Sequence, residues 1–167
     1  IFTDVIAFTP SWNLISFDIA IEDNAPEVVF AEFLESGNLI YVTGFGEIGS
    51  MYYDPTAPPP FNTLTSIEAG LGYWVKLNDS DDITEQGFPL TVSTTIDLMQ
   101  SWTLIGYWPS ENMSPEEAFA ELIATGNFQY ATGYDEGFTY YDPSLDPLFS
   151  TLTALENGYG YWLRLNE

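Results

Sequence analysis

Only two cationic side chains occur in this 167-residue chain, and each follows a tryptophan by two positions: Lys76 after Trp74, and Arg164 after Trp162. Alternate side chains of a strand share a face, so each indole and its cation point the same way. A flat indole covers the C–H face of a pyranose, and charged groups bond strongly to sugar hydroxyls. The pair therefore has the chemistry of a carbohydrate-binding surface. The same spacing also suits a cation resting on or beside its ring, or a structural bridge to Glu68 and Glu156. Asp54 and Asp142 each precede a proline and add carboxylates, although an aspartate there commonly caps a turn.

These residues recur because the chain repeats itself. Ser11-Trp12-Asn13-Leu14-Ile15 returns as Ser101-Trp102-Thr103-Leu104-Ile105, offset by 90. Residues 52–78 return at 140–166, offset by 88, with 16 of 27 positions identical. That is a tandem duplication, read as unit 1 over 1–78, a linker over 79–90 and unit 2 over 91–167. Each half alone is of marginal size for a core, so two packed copies are expected.

Composition narrows the partners. With 25 acids, 2 cations and no histidine, the formal net charge is −23. Such a surface repels nucleic acid and anionic membranes, and no apolar run is long enough for a span. Lacking cysteine and histidine, the chain has no thiol or imidazole chemistry and no ordinary zinc site. Asp79, Asp81 and Asp82 cluster oxygen donors, which suits Ca²⁺; a solvated acidic linker is the alternative. Glycoside hydrolysis needs two carboxyl groups, and Glu47, Asp54 and Glu68 recur. No other catalytic feature accompanies them, so a non-enzyme is expected. Extreme acidity fits an extracellular, salty setting, or a halophile's cytoplasm.

The elements that must position these side chains read as follows. Strands are expected over 12–17, 39–43, 52–53 and 73–77, with counterparts in the second copy. Amphipathic helices are expected over 26–36 and 115–125, from the spacing of Val29, Phe30, Phe33 and Leu34 and of Ala118, Phe119, Leu122 and Ile123. Ser114 and Pro115 open the second helix, and Gly37 and Gly126 close the two. The fold class expected is α+β: two units, each a mostly antiparallel sheet with one helix, related by an approximate two-fold. Trp12, Tyr41 and Phe61 are expected in the core.

Trp12-Asn13-Leu14-Ile15 and Gly72-Tyr73-Trp74-Val75 resemble the WNLI and GYWV repeats of bacterial secreted and surface proteins. That resemblance implies an extracellular accessory module beside adhesin modules or polysaccharide-active enzymes. Beginning at Ile1 and stopping after the second copy's last strand, the sequence reads as part of a longer exported polypeptide, expected to be monomeric. The function expected is non-catalytic binding of a polysaccharide or surface glycan. A structural spacer or protein-interaction module is the alternative. Trp108, Tyr159 and Tyr134 replace Asp18, Leu71 and Phe45 of the first copy. A site in the second half is therefore expected from Trp108, Tyr159, Trp162, Arg164 and Asp142, with Trp74, Lys76 and Asp54 in the first.

Overall fold

A computed structural model describes residues 1–166. The first half contains β1 (Phe2–Phe8), β2 (Ser11–Ser16), β3 (Ile19–Ile21), α1 (Pro26–Val29), α2 (Ala31–Glu35), β4 (Leu39–Gly46), β5 (Gly49–Tyr53), β6 (Gly72–Leu77) and β7 (Asp81–Pro89). The second contains β8 (Trp102–Gly106), α3 (Pro115–Ala118), α4 (Ala120–Thr125), β9 (Phe128–Tyr134), β10 (Phe138–Tyr141) and β11 (Gly160–Leu165). Strands outweigh the few short helices, and every strand pair is antiparallel. Two four-stranded sheets run β2-β6-β4-β5 and β8-β11-β9-β10, and a three-stranded sheet runs β1-β7-β3.

Both expected helices form, and both break at one aromatic residue. Phe30 (φ −102°, ψ 23°) divides α1 from α2, and Phe119 (φ −106°, ψ 14°) divides α3 from α4. Both phenylalanines are buried among core side chains. Ser114 caps α3 from both directions: its Oγ accepts the Glu117 amide at 3.3 Å and donates to the Glu117 carboxylate at 3.0 Å. Gly37 and Gly126 adopt left-handed φ of 72° and 76° after the second segments.

Residues 79–90, expected as a linker, contain β7, the middle strand of the three-stranded sheet. Its composition hides it. Among the inward positions 83, 85 and 87 only Ile83 is a large apolar side chain, and it packs into the first core with Ile6 and Phe8.

The retained polar residues hold turns. The Tyr73 and Tyr161 hydroxyls accept the amides of Glu68 (2.7 Å) and Glu156 (2.9 Å), and burial raises both phenol pKa values. The Thr63 and Thr151 hydroxyls accept the amides of Tyr52 and Tyr140 at 3.1 and 2.9 Å. Asn13 and Thr103, both buried, clasp the backbone four residues earlier, at Thr9 and Met99.

Each half has its own core, and the two meet at a close backbone seam. The Ser16 amide donates to Gly158 O, and the Gly106 amide donates to Gly70 O, both at 2.8 Å. Single bridges join Ile15 to Tyr159 and Leu71 to Ile105. A Cβ on Gly72 would lie 2.8 Å from Ile105 O, and one on Gly160 would lie 3.0 Å from Ile15 O. Side chains there would hold the strands apart.

Glu85 points inward from β7, and burial first, then the nearby Glu32 charge, raises its carboxyl to about 7. The folded state thus keeps a proton that an unfolded glutamate releases near its ordinary 4.5. This stabilising contribution is complete below 4.5 and is lost as pH rises through about 7. In urea at pH 5.5 and pH 8, the wild type should be the more stable at the lower pH. Glu85→Gln should shrink that gap and raise the midpoint at pH 8. An unchanged gap would contradict the assignment of this titration to Glu85.

Candidate functional site

Strand register assembles an aromatic face on each four-stranded sheet. In the first, Trp12 and Tyr41 both align with Lys76, and the next row carries Leu14, Trp74, Thr43 and Tyr52. Asn13, Val75 and Val42 alternate with these and turn into the core. The second sheet repeats the rows as Trp102, Arg164 and Tyr130, then Leu104, Trp162, Thr132 and Tyr140. The seam covers one end of both faces and buries Leu14 and Leu104. What stays open forms two clefts.

Each cleft draws on both halves. The first, about 380 Å³, is lined by Trp12, Thr43 and Trp74, closed by Tyr134 and Phe138 from the second half. The other, about 340 Å³, is lined by Trp102, Thr132 and Trp162, closed by Phe45 from the first half. Trp12 meets Trp74 edge-on at 6.0 Å, and Trp102 meets Trp162 at 5.8 Å. Tyr134 approaches Trp74 at 5.1 Å, as Phe45 approaches Trp162 at 5.0 Å. Phe138, 74% exposed, extends only the first cleft, because serine holds its place at position 50.

The cations rest on rings, but on those of the neighbouring strand. Lys76 Nζ lies 5.1 Å from the Trp12 ring centroid, and Arg164 Cζ lies 5.2 Å from that of Trp102. Arg164 also donates to Ser101 Oγ. Glu68 accepts Asn24 Nδ2 at 3.2 Å. Beyond the cations the aromatic row continues: Trp12 to Tyr41 at 6.3 Å and Tyr41 to Tyr52 at 6.0 Å, then Trp102 to Tyr130 at 5.8 Å and Tyr130 to Tyr140 at 5.2 Å.

Trp12 and Tyr41, expected in the core, are half-buried on this outer face, and Phe61 is 62% exposed. Core space goes instead to the residues alternating with Trp12 and Tyr41, and Phe61 sits on a surface turn after three prolines. Thr43, Phe45 and Phe138 are not among the residues singled out from sequence, whereas Tyr134 is, as an aromatic added in the second copy. Alternation of Tyr41, Thr43 and Phe45 with Val42 and Gly44 carries that signal.

The residues expected in one second-half site lie in separate places. Trp162 lines a cleft. Trp108 instead packs beside Gly70, and its indole N–H donates to Thr91 O at 3.0 Å. Tyr159 lies on the seam, where its carbonyl accepts Ser16 Oγ at 3.1 Å. Asp54 and Asp142 cap turns, accepting the amide and hydroxyl of Thr56 and of Ser144 at 2.7–2.8 Å. The Thr56 hydroxyl and amide lower the Asp54 pKa. For Asp142, burial opposes ionisation, but bonds from Ser144 and Tyr140 outweigh it, and the net shift is down. Phe45, Thr43 and the Trp pairs give the clefts ring faces and a hydroxyl, with no carboxylate in either lining. Such a surface can stack rings. It offers no acid–base pair.

Asp79, Asp81 and Asp82 do not converge into a metal site. Asp81 Oδ2 accepts Asn38 Nδ2 at 3.1 Å, its Oδ1 accepts the Asp82 amide at 3.0 Å, and Asp82 alternates to the opposite side of β7. Among the described residues no group of three acids could hold an ion, and no helix is long and apolar enough to cross a membrane. Thermal midpoints should therefore rise with NaCl, through screening of the −23 charge. CaCl₂ and MgCl₂ at equal concentrations should give equal midpoints. A rise with calcium alone, removed by Asp81→Asn, would restore a specific site.

Compared with protein-family models, curated proteins and solved structures, the chain shows no match.

Proposed function

We propose that the protein is a non-catalytic, extracellular carbohydrate-binding module, part of a larger secreted protein, whose two aromatic clefts stack neutral sugar rings. The observation that carries this reading is the pair of half-exposed tryptophan clefts with equivalent linings. Exposed, contiguous aromatic surface of this kind is characteristic of binding sites. The acidic shell disfavours anionic polymers, so neutral or cationic glycans are the class to test. Against the second-half site expected from sequence, ligand contact is assigned to Trp74 and Trp162 equally, and Trp108 becomes a packing residue.

We further infer that the two halves are related by an approximate two-fold axis near Ser16 and Gly106. A Cβ on Gly106 would lie only 2.4 Å from Ser16 Cβ. These positions are equivalent in the repeat, and equivalent positions collide only close to an axis. One copy can carry a serine there and the other cannot.

The competing reading, a spacer or protein-interaction module, draws on Phe61, Leu148 and Phe149, exposed at 62%, 90% and 69% on the two surface turns.

In gels containing neutral polysaccharides, the wild type should be retarded by at least one. Trp74→Ala and Trp162→Ala should each weaken binding by about 1–3 kcal/mol, by analogy with base stacking on aromatic rings. Trp108→Ala should lower stability and leave retardation intact. No retardation by any polysaccharide, or full retardation of the Trp74→Ala/Trp162→Ala double variant, would refute the reading. For the axis, Gly106→Ser should cost about 1–3 kcal/mol through overpacking, and the swap Ser16→Gly/Gly106→Ser should recover most of it. A swap no better than the single variant would contradict the axis.

A further inference from the structure

We propose that the second half carries an open strand-docking site, which takes an extended peptide of β7's pattern with a neutral residue in place of Glu85. This inference is independent of the glycan reading. In the first half, β7 pairs with β1 over seven residues, Phe2 with Gly87 through Phe8 with Asp81, and with β3 over three. It inserts Ile83 beside Ile6 and over the first core. The second half has the counterpart of β1 at 92–98, yet no strand pairs with it among the described residues.

The segment is prepared for such pairing. Ile96 and Leu98 pack against the second core, as Ile6 and Phe8 pack against the first. Thr95 and Asp97 alternate outward and are exposed. Between Thr95 and Leu98, no backbone hydrogen bond forms with any described residue. An extended run of unpaired amides and carbonyls is the template that strand addition uses.

Burial differs where β7 would lie. Ile6 and Phe8 are 7% and 3% exposed, whereas Ile96 and Leu98 are only half-buried. Phe33 is fully buried, and its counterpart Leu122 is half-buried. The first half thus displays the occupant that the second half lacks. Its chemistry follows: a large apolar residue inward at the place of Ile83, polar residues outward, glycine at the place of Gly87. At the place of Glu85 a neutral residue avoids the burial of a second carboxylate that the first half tolerates there, since Glu121 occupies the position equivalent to Glu32. Pro109 replaces Ile19 and lacks a donor, so pairing falls chiefly on 95–98.

The test appends a copy of residues 80–90, with glutamine at the Glu85 place, directly after Glu167, which in the repeat stands at the place of Asp79. Amide exchange at Thr95, Ile96, Asp97 and Leu98 should slow by at least about tenfold, and the thermal midpoint should rise. A second variant with aspartate at the appended Ile83 place should show neither effect. Unchanged exchange at 95–98 would overturn the proposal. So would equal protection by the aspartate variant, or protection confined to 2–8 through displacement of the native β7.

Discussion

Close approach of backbones at the seam is the constraint on which the rest of the structure depends. Gly72 and Gly160 let the equivalent strands β6 and β11 each pass within contact of a carbonyl of the other half, and two 2.8 Å amide–carbonyl bonds lock the approach. Because the sheets meet there, Leu14 and Leu104 become buried on faces that otherwise point to solvent. The same approach brings Phe45 and Tyr134 against the tryptophans of the opposite half. Sequence duplication therefore yields more than two copies of one unit. Each copy completes the other's cleft.

Electrostatics reinforces this division of surfaces. Lys76 and Arg164 rest over the rings of Trp12 and Trp102, where a cation gains from the ring quadrupole without needing a carboxylate. The carboxylates instead cap turns, as at Asp54 and Asp142, or cover the surface. Glu85 and Asp4 are exceptions, each with its pKa raised by partial burial and then by a like charge beside it, Glu85 to about 7. A strand with so few apolar residues stays in place through backbone pairing on both edges and the burial of Ile83.

Much of the local structure was legible in the chain. The strand and helix patterns foretold mostly antiparallel sheets with a few helices, and Ser114-Pro115 and the two capping glycines marked helix ends that the structure keeps. Three things were not legible, each because it depends on distant partners. Which tryptophan receives each cation is a matter of cross-strand register, which spacing within one strand does not reveal. Whether Trp12 points to the core or outward is decided by what Asn13 and Val42 bury on the other face. Strand β7 has the polarity of a solvated linker, and only its neighbours β1 and β3 supply the pairing that makes it a strand. Likewise Trp108, read as a ligand-facing addition, is occupied by the Thr91 carbonyl and the Gly70 contact.

The five indole N–H resonances of this protein offer the most direct measurement of whether these composite clefts bind sugar. Hexasaccharide fragments of cellulose, mannan and xylan would be titrated in turn into uniformly ¹⁵N-labelled protein. With a binding sugar, the signals of Trp12, Trp74, Trp102 and Trp162 should shift saturably, and that of Trp108 should stay in place. Movement of Trp108 alone, or no movement of any indole with all three sugars, would contradict the assignment of binding to the clefts.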